Sequence, residues 1–212
     1  MKTSNPMRTR IKFCGLTRRE DIEQAVSLGV DALGFVMWPK SPRSISVEQL
    51  AGLSANVPAF VTRVGLFVDQ PVELIEQCLP YLDVIQFHGN ESPEFCAQFG
   101  RPWIKALRMH ESVNLDKAAN DYHQAQALLL DAYRPGMPGG TGETFDWARI
   151  PAELAKPVIL AGGLTADNIA SAVQQVAPYA VDVSGGIELA RGCKDVDKMA
   201  SFVSQVAFAD AR

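Results

Sequence analysis

Two side chains that can move protons stand at the ends of short apolar segments. Ile11 and Phe13 alternate with Lys12 and Cys14, a pattern typical of a β-strand with one apolar face. The other face of that strand carries an ammonium group and a thiol. Asp131 follows a run of three leucines and ends a second apolar segment. The types and positions of Cys14 and Asp131 therefore suggest acid and base chemistry.

Each of the two groups has properties that suit proton transfer. A thiol with an ordinary pKa of about 8.5 is only slightly ionised at neutral pH, and a nearby ammonium group such as Lys12 raises that fraction. A carboxyl group next to leucines is partly desolvated, which favours the neutral form that donates a proton. The alternatives are a small buried apolar residue for Cys14 and a solvated loop residue or helix cap for Asp131.

The segments around these residues predict alternating strands and helices. Gly15 allows a sharp turn directly after Cys14, and Thr17 with Glu20 has the spacing of a helix capping box. Six further units of this kind precede a last strand around Asp182 and a final helix. About eight βα units without a linker predict a single α/β domain over residues 1–212, a (β/α)₈ TIM barrel with residues 1–9 as a loose extension.

A doubly wound open sheet is the alternative fold, and one charge pair favours closure. Asp182 is expected to share the inward face with Lys12, and only a closed barrel places the eighth strand beside the first. A buried ammonium group needs a partner, so we predict an ion pair between Lys12 and Asp182.

Two glycine-rich turns follow the predicted seventh and eighth strands, at Ala161-Gly162-Gly163 and Ser184-Gly185-Gly186. Backbone N–H groups in such turns can point at phosphate oxygens, and barrels commonly bind phosphate after these two strands. Either turn alone would be explained by chain geometry. Together they predict a phosphate site. The segment containing Gly140 is expected to fold over this site, where it would give a third set of phosphate contacts and act as a lid.

Composition restricts the classes of partner. The chain has 212 residues, 47% hydrophobic and 21% charged, with a net charge of −4. This acidic balance argues against nucleic acid or an anionic membrane as the main partner.

No segment resembles a membrane span or a signal peptide, so we expect a cytoplasmic protein. The four cysteines lack a C-x-x-C pair and the three histidines lack metal-ligand spacing, so neither disulfides nor a metal site is expected.

Motifs along nearly the whole chain resemble one known family, the phosphoribosylanthranilate isomerases of tryptophan biosynthesis. The matching motifs, in order, are Lys12-Phe13-Cys14-Gly15-Leu16-Thr17, Pro39-Lys40-Ser41-Pro42-Arg43, Val64-Gly65-Leu66-Phe67-Val68, Gln86-Phe87-His88-Gly89, Leu129-Leu130-Asp131, Gly139-Gly140-Thr141-Gly142, Leu160-Ala161-Gly162-Gly163-Leu164 and Val181-Asp182-Val183-Ser184. The resemblance implies a cofactor-free Amadori rearrangement of a phosphorylated sugar-anthranilate.

The resemblance also implies residue roles. Asp131 matches the general acid that opens the sugar ring, Cys14 the general base that removes the C2′ proton, and Arg43 the arginine that binds the anthranilate carboxylate. Gln86 is either a substrate contact or a core residue, and His88 is interpreted as structural. The remaining substrate-binding positions are Gly140, Gly162, Gly163, Ser184 and Gly185. Oligomeric state is left open between monomer and homodimer.

Some residues depart from the family pattern. Ser184-Gly185-Gly186-Ile187-Glu188 replaces the usual Ser-Ser-Gly-Val-Glu, which removes a hydroxyl but keeps the backbone donors, and Glu143 adds negative charge near the expected phosphate loop. Phe13 stands where a β-branched residue is usual and should affect only packing.

Three other functions compete with the isomerase interpretation. A dual-substrate sugar isomerase of histidine biosynthesis would need an aspartate in place of Cys14. A non-catalytic phosphate-binding barrel would need neither Cys14 nor Asp131. A thiol redox protein would need a second cysteine close to Cys14.

Overall fold

Eight parallel strands form a closed barrel in the order of the chain. The computed structural model describes residues 8–132 and 145–211. The strands are β1 (Arg10–Cys14), β2 (Ala32–Val36), β3 (Thr62–Phe67), β4 (Val84–Phe87), β5 (Trp103–Arg108), β6 (Ala127–Asp131), β7 (Val158–Leu160) and β8 (Ala180–Val183). Strand β8 pairs with β1, with Lys12 beside Asp182. The predicted (β/α)₈ barrel is confirmed, and the open sheet is wrong.

Helices surround the barrel. Within the described residues they are α1 (Arg19–Ser27), α2 (Val47–Ser54), α3 (Val72–Cys78), α4 (Pro93–Ala97), α5 (Leu115–Asp121), α6 (Ile169–Val176) and α7 (Val196–Asp210). The described part of the β6–β7 connection contains a single 3₁₀ turn, Trp147–Arg149. A short antiparallel pair, β9 (Glu188–Ala190) and β10 (Cys193–Lys194), follows β8 and lies beside the barrel mouth.

The hydrophobic core lies mainly between the strands and the helices. Phe13, Phe35, Phe67 and Phe87 point outward from the first four strands and are fully buried. Phe13 packs edge-on against Phe202 of α7, with ring centroids 6.2 Å apart. Because side chains alternate along a strand, the neighbours of these rings point into the barrel. That alternation places Lys12 and Cys14 inside.

Residues 8 and 9 are held by specific contacts. Residues 1–7 of the predicted loose extension lie outside the described residues, but the last two are anchored. Thr9 is buried and donates to Asp210 through its backbone N–H (2.8 Å) and its hydroxyl (2.6 Å). Arg8 pairs with Asp31. These contacts attach residues 8 and 9 to the barrel, and the expectation of a loose extension stays a prediction for residues 1–7.

The predicted capping box at the first helix is also wrong. Helix α1 begins after Arg18, and no side chain caps it. The Thr17 hydroxyl instead donates to the carbonyl of Gly192, 2.6 Å away, and so ties the β1–α1 turn to the β9–β10 hairpin.

None of the helices in the described part of the chain has the length and apolar character needed to cross a bilayer.

Candidate active site

A cavity of about 570 Å³ opens at the carboxyl ends of the barrel strands, which is an ordinary size for a small-molecule site. It brings together most of the residues that the sequence singled out. Its lining includes Cys14, Arg43, Asp131, Gly162, Gly163, Ser184 and Gly185. Gly140 lies outside the described residues, as does Glu143. Gln86 is fully buried and is not part of the lining, so its position favours the core role over substrate contact.

The thiol of Cys14 lies at the end of β1, only 4% exposed. Burial raises its pKa above the ordinary value, while the nearby ammonium groups of Lys12 and Lys194 act in the opposite direction. Gly34 of β2 makes room for this arrangement: an added Cβ there would lie 2.8 Å from the Cys14 sulfur and 3.0 Å from Lys12 Nζ. The thiol and the ammonium group therefore border the same small space.

The predicted ion pair between Lys12 and Asp182 is confirmed. Lys12 Nζ lies 2.7 Å from Asp182 Oδ1, and the two side chains are 5% and 10% exposed. Desolvation lowers the pKa of Lys12, but the negative charges of Asp182 and Cys14 outweigh it and raise that pKa overall. The ammonium group is thus held charged under the thiol.

The carboxyl of Asp131 ends β6 and is held by a histidine that the sequence interpretation treated as structural. His88 Nε2 lies 3.2 Å from Asp131 Oδ2, and His88 lines the cavity. A signal for this role was present in the sequence, because residues 86 and 88 share one face of a strand and Gln86 points into the barrel. Its contact with Asp131 and its place in the cavity wall make His88 a candidate functional residue.

Arg108 is a second cavity residue that the sequence interpretation missed. It ends β5, pairs in register with Asp131 and lines the cavity. Its Nη2 donates to the carbonyl of His88 over 3.3 Å, while its buried Nε has no hydrogen-bond partner in the described structure. Strand alternation through Ile104 and Ala106 would have predicted its inward direction.

Arg43 reaches the site by lying across the β1 turn. An added Cβ on Gly15, which has φ +74°, would collide with Arg43 Cδ. The guanidinium holds Glu188 with two nitrogens, Nε at 2.6 Å and Nη2 at 2.7 Å. This bidentate pair is a strong, directional contact, and Nη1 takes no part in it.

Glu188, in the cavity wall, joins two cations. Its carboxylate also lies 3.0 Å from Lys194 Nζ, which donates to the Cys14 carbonyl at 2.7 Å. Desolvation raises the pKa of Glu188, but Arg43 and Lys194 together hold it below its ordinary value. Burial lowers the pKa of Lys194, with Glu188 opposing that effect. Glu188, which had no assigned role in the sequence interpretation, thereby connects Arg43 to the end of β1.

The two glycine turns lie against each other. Gly162 and Gly163 have φ of +81° and +65°, and the hydrogen bonds of the described residues include none donated by their amides. An added Cβ on Gly186 would collide with the carbonyl of Leu164. The turns after β7 and β8 therefore form one continuous backbone surface in the cavity wall. The Ser184 hydroxyl is already used, because it donates to the Cys14 carbonyl at 3.0 Å.

The described residues contain no group of three or more histidine, cysteine, aspartate or glutamate side chains arranged to hold a metal ion. The polar groups of the cavity are instead the Cys14 thiol, the carboxyl groups of Asp131, Asp182 and Glu188, a histidine, several cations and the glycine turns. This set can transfer protons and bind anions.

Comparison with known proteins identifies the family. The model of the N-(5'phosphoribosyl)anthranilate (PRA) isomerase family matches residues 11–205. An isomerase of that name from Chromohalobacter salexigens is 62% identical over 209 residues, covering 99% of each chain. The Nitrosococcus oceani isomerase is 56% identical over 202 residues, covering 94% of this chain and 98% of its own.

Solved structures agree with the sequence relatives. Phosphoribosyl anthranilate isomerase from Thermotoga maritima superposes with a TM-score of 0.86 at 37% identity, covering 94% of this chain and 99% of its own. An isomerase complex with reduced 1-(o-carboxyphenylamino)-1-deoxyribulose 5-phosphate gives a TM-score of 0.84 at 36% identity, with the same coverage. A third structure is described as monomers generated from the dimeric Thermotoga maritima enzyme; its TM-score is 0.82 at 34% identity, covering 94% and 98%. With most of its length matched by the family model and by close relatives, the chain belongs to the N-(5'-phosphoribosyl)anthranilate isomerase family.

Proposed function

We propose that this chain converts N-(5-phosphoribosyl)anthranilate into 1-(2-carboxyphenylamino)-1-deoxyribulose 5-phosphate, with Asp131 as the general acid and Cys14 as the general base. Membership of the family makes the chain an isomerase of tryptophan biosynthesis. The observation that carries the assignment of roles is that the carboxyl group of Asp131, from β6, and the thiol of Cys14, from β1, line a single cavity beside the glycine turns.

The first step opens the sugar. Asp131 donates a proton to the ring oxygen of the furanose, the bond between C1′ and that oxygen breaks, and the anthranilate nitrogen becomes part of an iminium ion. The carboxylate left on Asp131 accepts a hydrogen bond from His88, whose Nε2 lies 3.2 Å away. General acid catalysis of this kind typically contributes a factor of about 10²–10⁴ in rate.

The second step moves a proton from carbon. The thiolate of Cys14 removes the C2′ proton, the electrons of that C–H bond form the enolamine, and the iminium charge is neutralised. The enolamine then tautomerises to the ketone. Because burial raises the pKa of Cys14, few thiolates are present at neutral pH, but each is a stronger base. The iminium also makes the proton more acidic.

The substrate's anionic groups would be bound at two places. The phosphate is assigned to the glycine turns, where Gly162 and Gly163 present backbone amides. The anthranilate carboxylate is assigned to Arg43, whose Nη1 is not used by Glu188. Gly140 is kept as a proposed phosphate contact on the sequence pattern alone.

The test is an activity assay. Freshly prepared phosphoribosylanthranilate is mixed with protein and the loss of its fluorescence is followed. We expect Cys14→Ser and Asp131→Asn each to reduce kcat by on the order of 10²–10⁴ while the circular dichroism spectrum is unchanged. Cys78→Ser, a matched substitution in α3, should keep normal turnover. Near-normal kcat in either site variant would remove that residue from its role, and no turnover by the wild type would refute the function.

Cytoplasmic location and assembly remain predictions. The location rests on the sequence composition and on the biosynthetic role. Both a monomer and a homodimer are compatible with the family, since a Thermotoga maritima relative is described in both forms. Sedimentation of the purified chain over a range of concentrations would decide between the two.

A further inference from the structure

A buried amide leads from the barrel interior to the acid. Gln86 of β4 is fully buried and points inward without reaching the cavity wall. Its Nε2 lies 3.2 Å from His88 Nδ1, and His88 Nε2 lies 3.2 Å from Asp131 Oδ2. Three polar side chains therefore form a continuous line that ends on the carboxyl group assigned as the general acid.

The chemistry of the imidazole ring makes this line directional. A neutral imidazole has one nitrogen that donates and one that accepts. The amide group of Gln86 presents N–H to Nδ1, so Nδ1 must accept and Nε2 must carry the proton. His88 then donates to Asp131, which matches an ionised carboxylate. The arrangement in the structure is thus the one required after Asp131 has given up its proton.

The opposite arrangement is also available to the same side chain. Oε1 of Gln86 is buried and has no hydrogen-bond partner in the described structure, which is unfavourable for a carbonyl oxygen. A half-turn of the amide would bring Oε1 to the ring, where it accepts from Nδ1–H. Nε2 of His88 would then accept from a protonated Asp131. One amide can therefore serve both protonation states of the acid.

Resting on the function proposed above, we infer that Gln86 is a positioning residue that sets the tautomer of His88 and so lets His88 hydrogen-bond Asp131 both before and after proton donation. Gln86 does not touch the substrate. Arg108 places a fixed positive charge beside this line, because its Nη2 donates to the His88 carbonyl at 3.3 Å, and that charge is the same in either protonation state of Asp131.

Two substitutions separate this role from packing. Gln86→Met keeps the length of the side chain and removes both hydrogen-bonding groups. Gln86→Glu offers an acceptor only, so it should hold the ring with a proton on Nδ1 and favour the imidazolium. We expect each of these two variants to lower kcat by roughly tenfold to a hundredfold, which is part of the rate factor of about 10²–10⁴ that general acid catalysis provides. KM should change less than kcat. Gln98→Met, at an exposed position after α4, is the matched control and should be normal.

The direct readout is the ¹⁵N NMR spectrum of the His88 ring. The chain has three histidines, and the exposed His110 and His123 can be replaced by glutamine to leave one ring. At pH 8 the wild type should show two widely separated nitrogen resonances with the proton on Nε2. Gln86→Glu should shift the ring toward two similar resonances, as in imidazolium.

Clear outcomes overturn the inference. An identical His88 signature in the wild type and Gln86→Glu, or kcat within twofold of normal in that variant, would show that Gln86 does not act through the ring. If Gln86→Met fails to fold, the comparison of the wild type with Gln86→Glu still decides. Failure of the proposed function is distinguishable, because it would appear as no turnover by the wild type, and failure of the acid assignment as normal turnover in Asp131→Asn, whatever the NMR signature.

Discussion

Replacing Lys12 by methionine is the sharpest test of how the barrel interior is held together. The substitution keeps most of the side-chain stem and removes the ammonium group that lies 2.7 Å from Asp182 Oδ1. The carboxylate, 10% exposed, would be left inside the barrel without its cation. Breaking a buried pair in this way costs roughly 3–5 kcal/mol, against a total unfolding free energy of about 5–15 kcal/mol for a typical domain.

Urea denaturation followed by circular dichroism at pH 7.5 measures this change, with two controls. Lys12→Met/Asp182→Leu removes both charges, and replacing a buried pair by apolar side chains is often close to neutral, so most of the lost stability should return. Lys117→Met removes the cation of an exposed pair with Asp121, whose side chains are 70% and 45% exposed. Its unfolding free energy should fall by no more than about 0.5 kcal/mol.

The double variant also reports on the thiol. Lys12 lowers the pKa of Cys14 more than Asp182 raises it, so losing the pair should move the alkaline rise of kcat/KM to higher pH. The reasoning is refuted if Lys12→Met unfolds within 1 kcal/mol of the wild type, or if the double variant is as unstable as the single one.

Three further perturbations test the surrounding site. Gly162→Ala should reduce kcat/KM at least tenfold, because the glycine has φ +81° and an added Cβ would collide with the Ala132 amide. Steady-state kinetics measures this, and an unchanged kcat/KM would contradict it. In the wild type, kcat/KM should rise with pH above neutrality, because burial raises the pKa of Cys14 and only the thiolate is a base; a flat pH–rate profile would exclude that role. Glu188→Gln should reduce the unfolding free energy by about 3 kcal/mol at pH 7 by leaving Arg43 without its partner. The pKa of Glu188 is lower in the folded than in the unfolded state, so its carboxylate stabilises the fold fully above its unfolded pKa and loses this effect as pH falls through its folded pKa. Urea melts should therefore give the variant and the wild type increasingly similar unfolding free energies as the pH is lowered. The same difference in unfolding free energy at every pH would contradict this network.

The sequence determined the barrel and the positions of its main groups because those signals are local. Alternation in β1 placed Lys12 and Cys14 on the inward face, and glycine pairs after β7 and β8 marked the turns. The Lys12 to Asp182 pair was predictable for the same reason, once barrel closure set the two strands side by side. Each inference needed only the side-chain period of a strand and the order of the strands.

The tertiary structure decided how the side chains share partners. Arg43 and Glu188 meet across 145 residues, and the Thr17 hydroxyl bonds a carbonyl 175 residues away instead of capping its own helix. His88 faces Asp131 only because the strands β4 and β6 converge at one mouth. Which partner each of these side chains binds depends on strand register and on which acceptor is nearest in space. A local pattern of residue types determines neither of these.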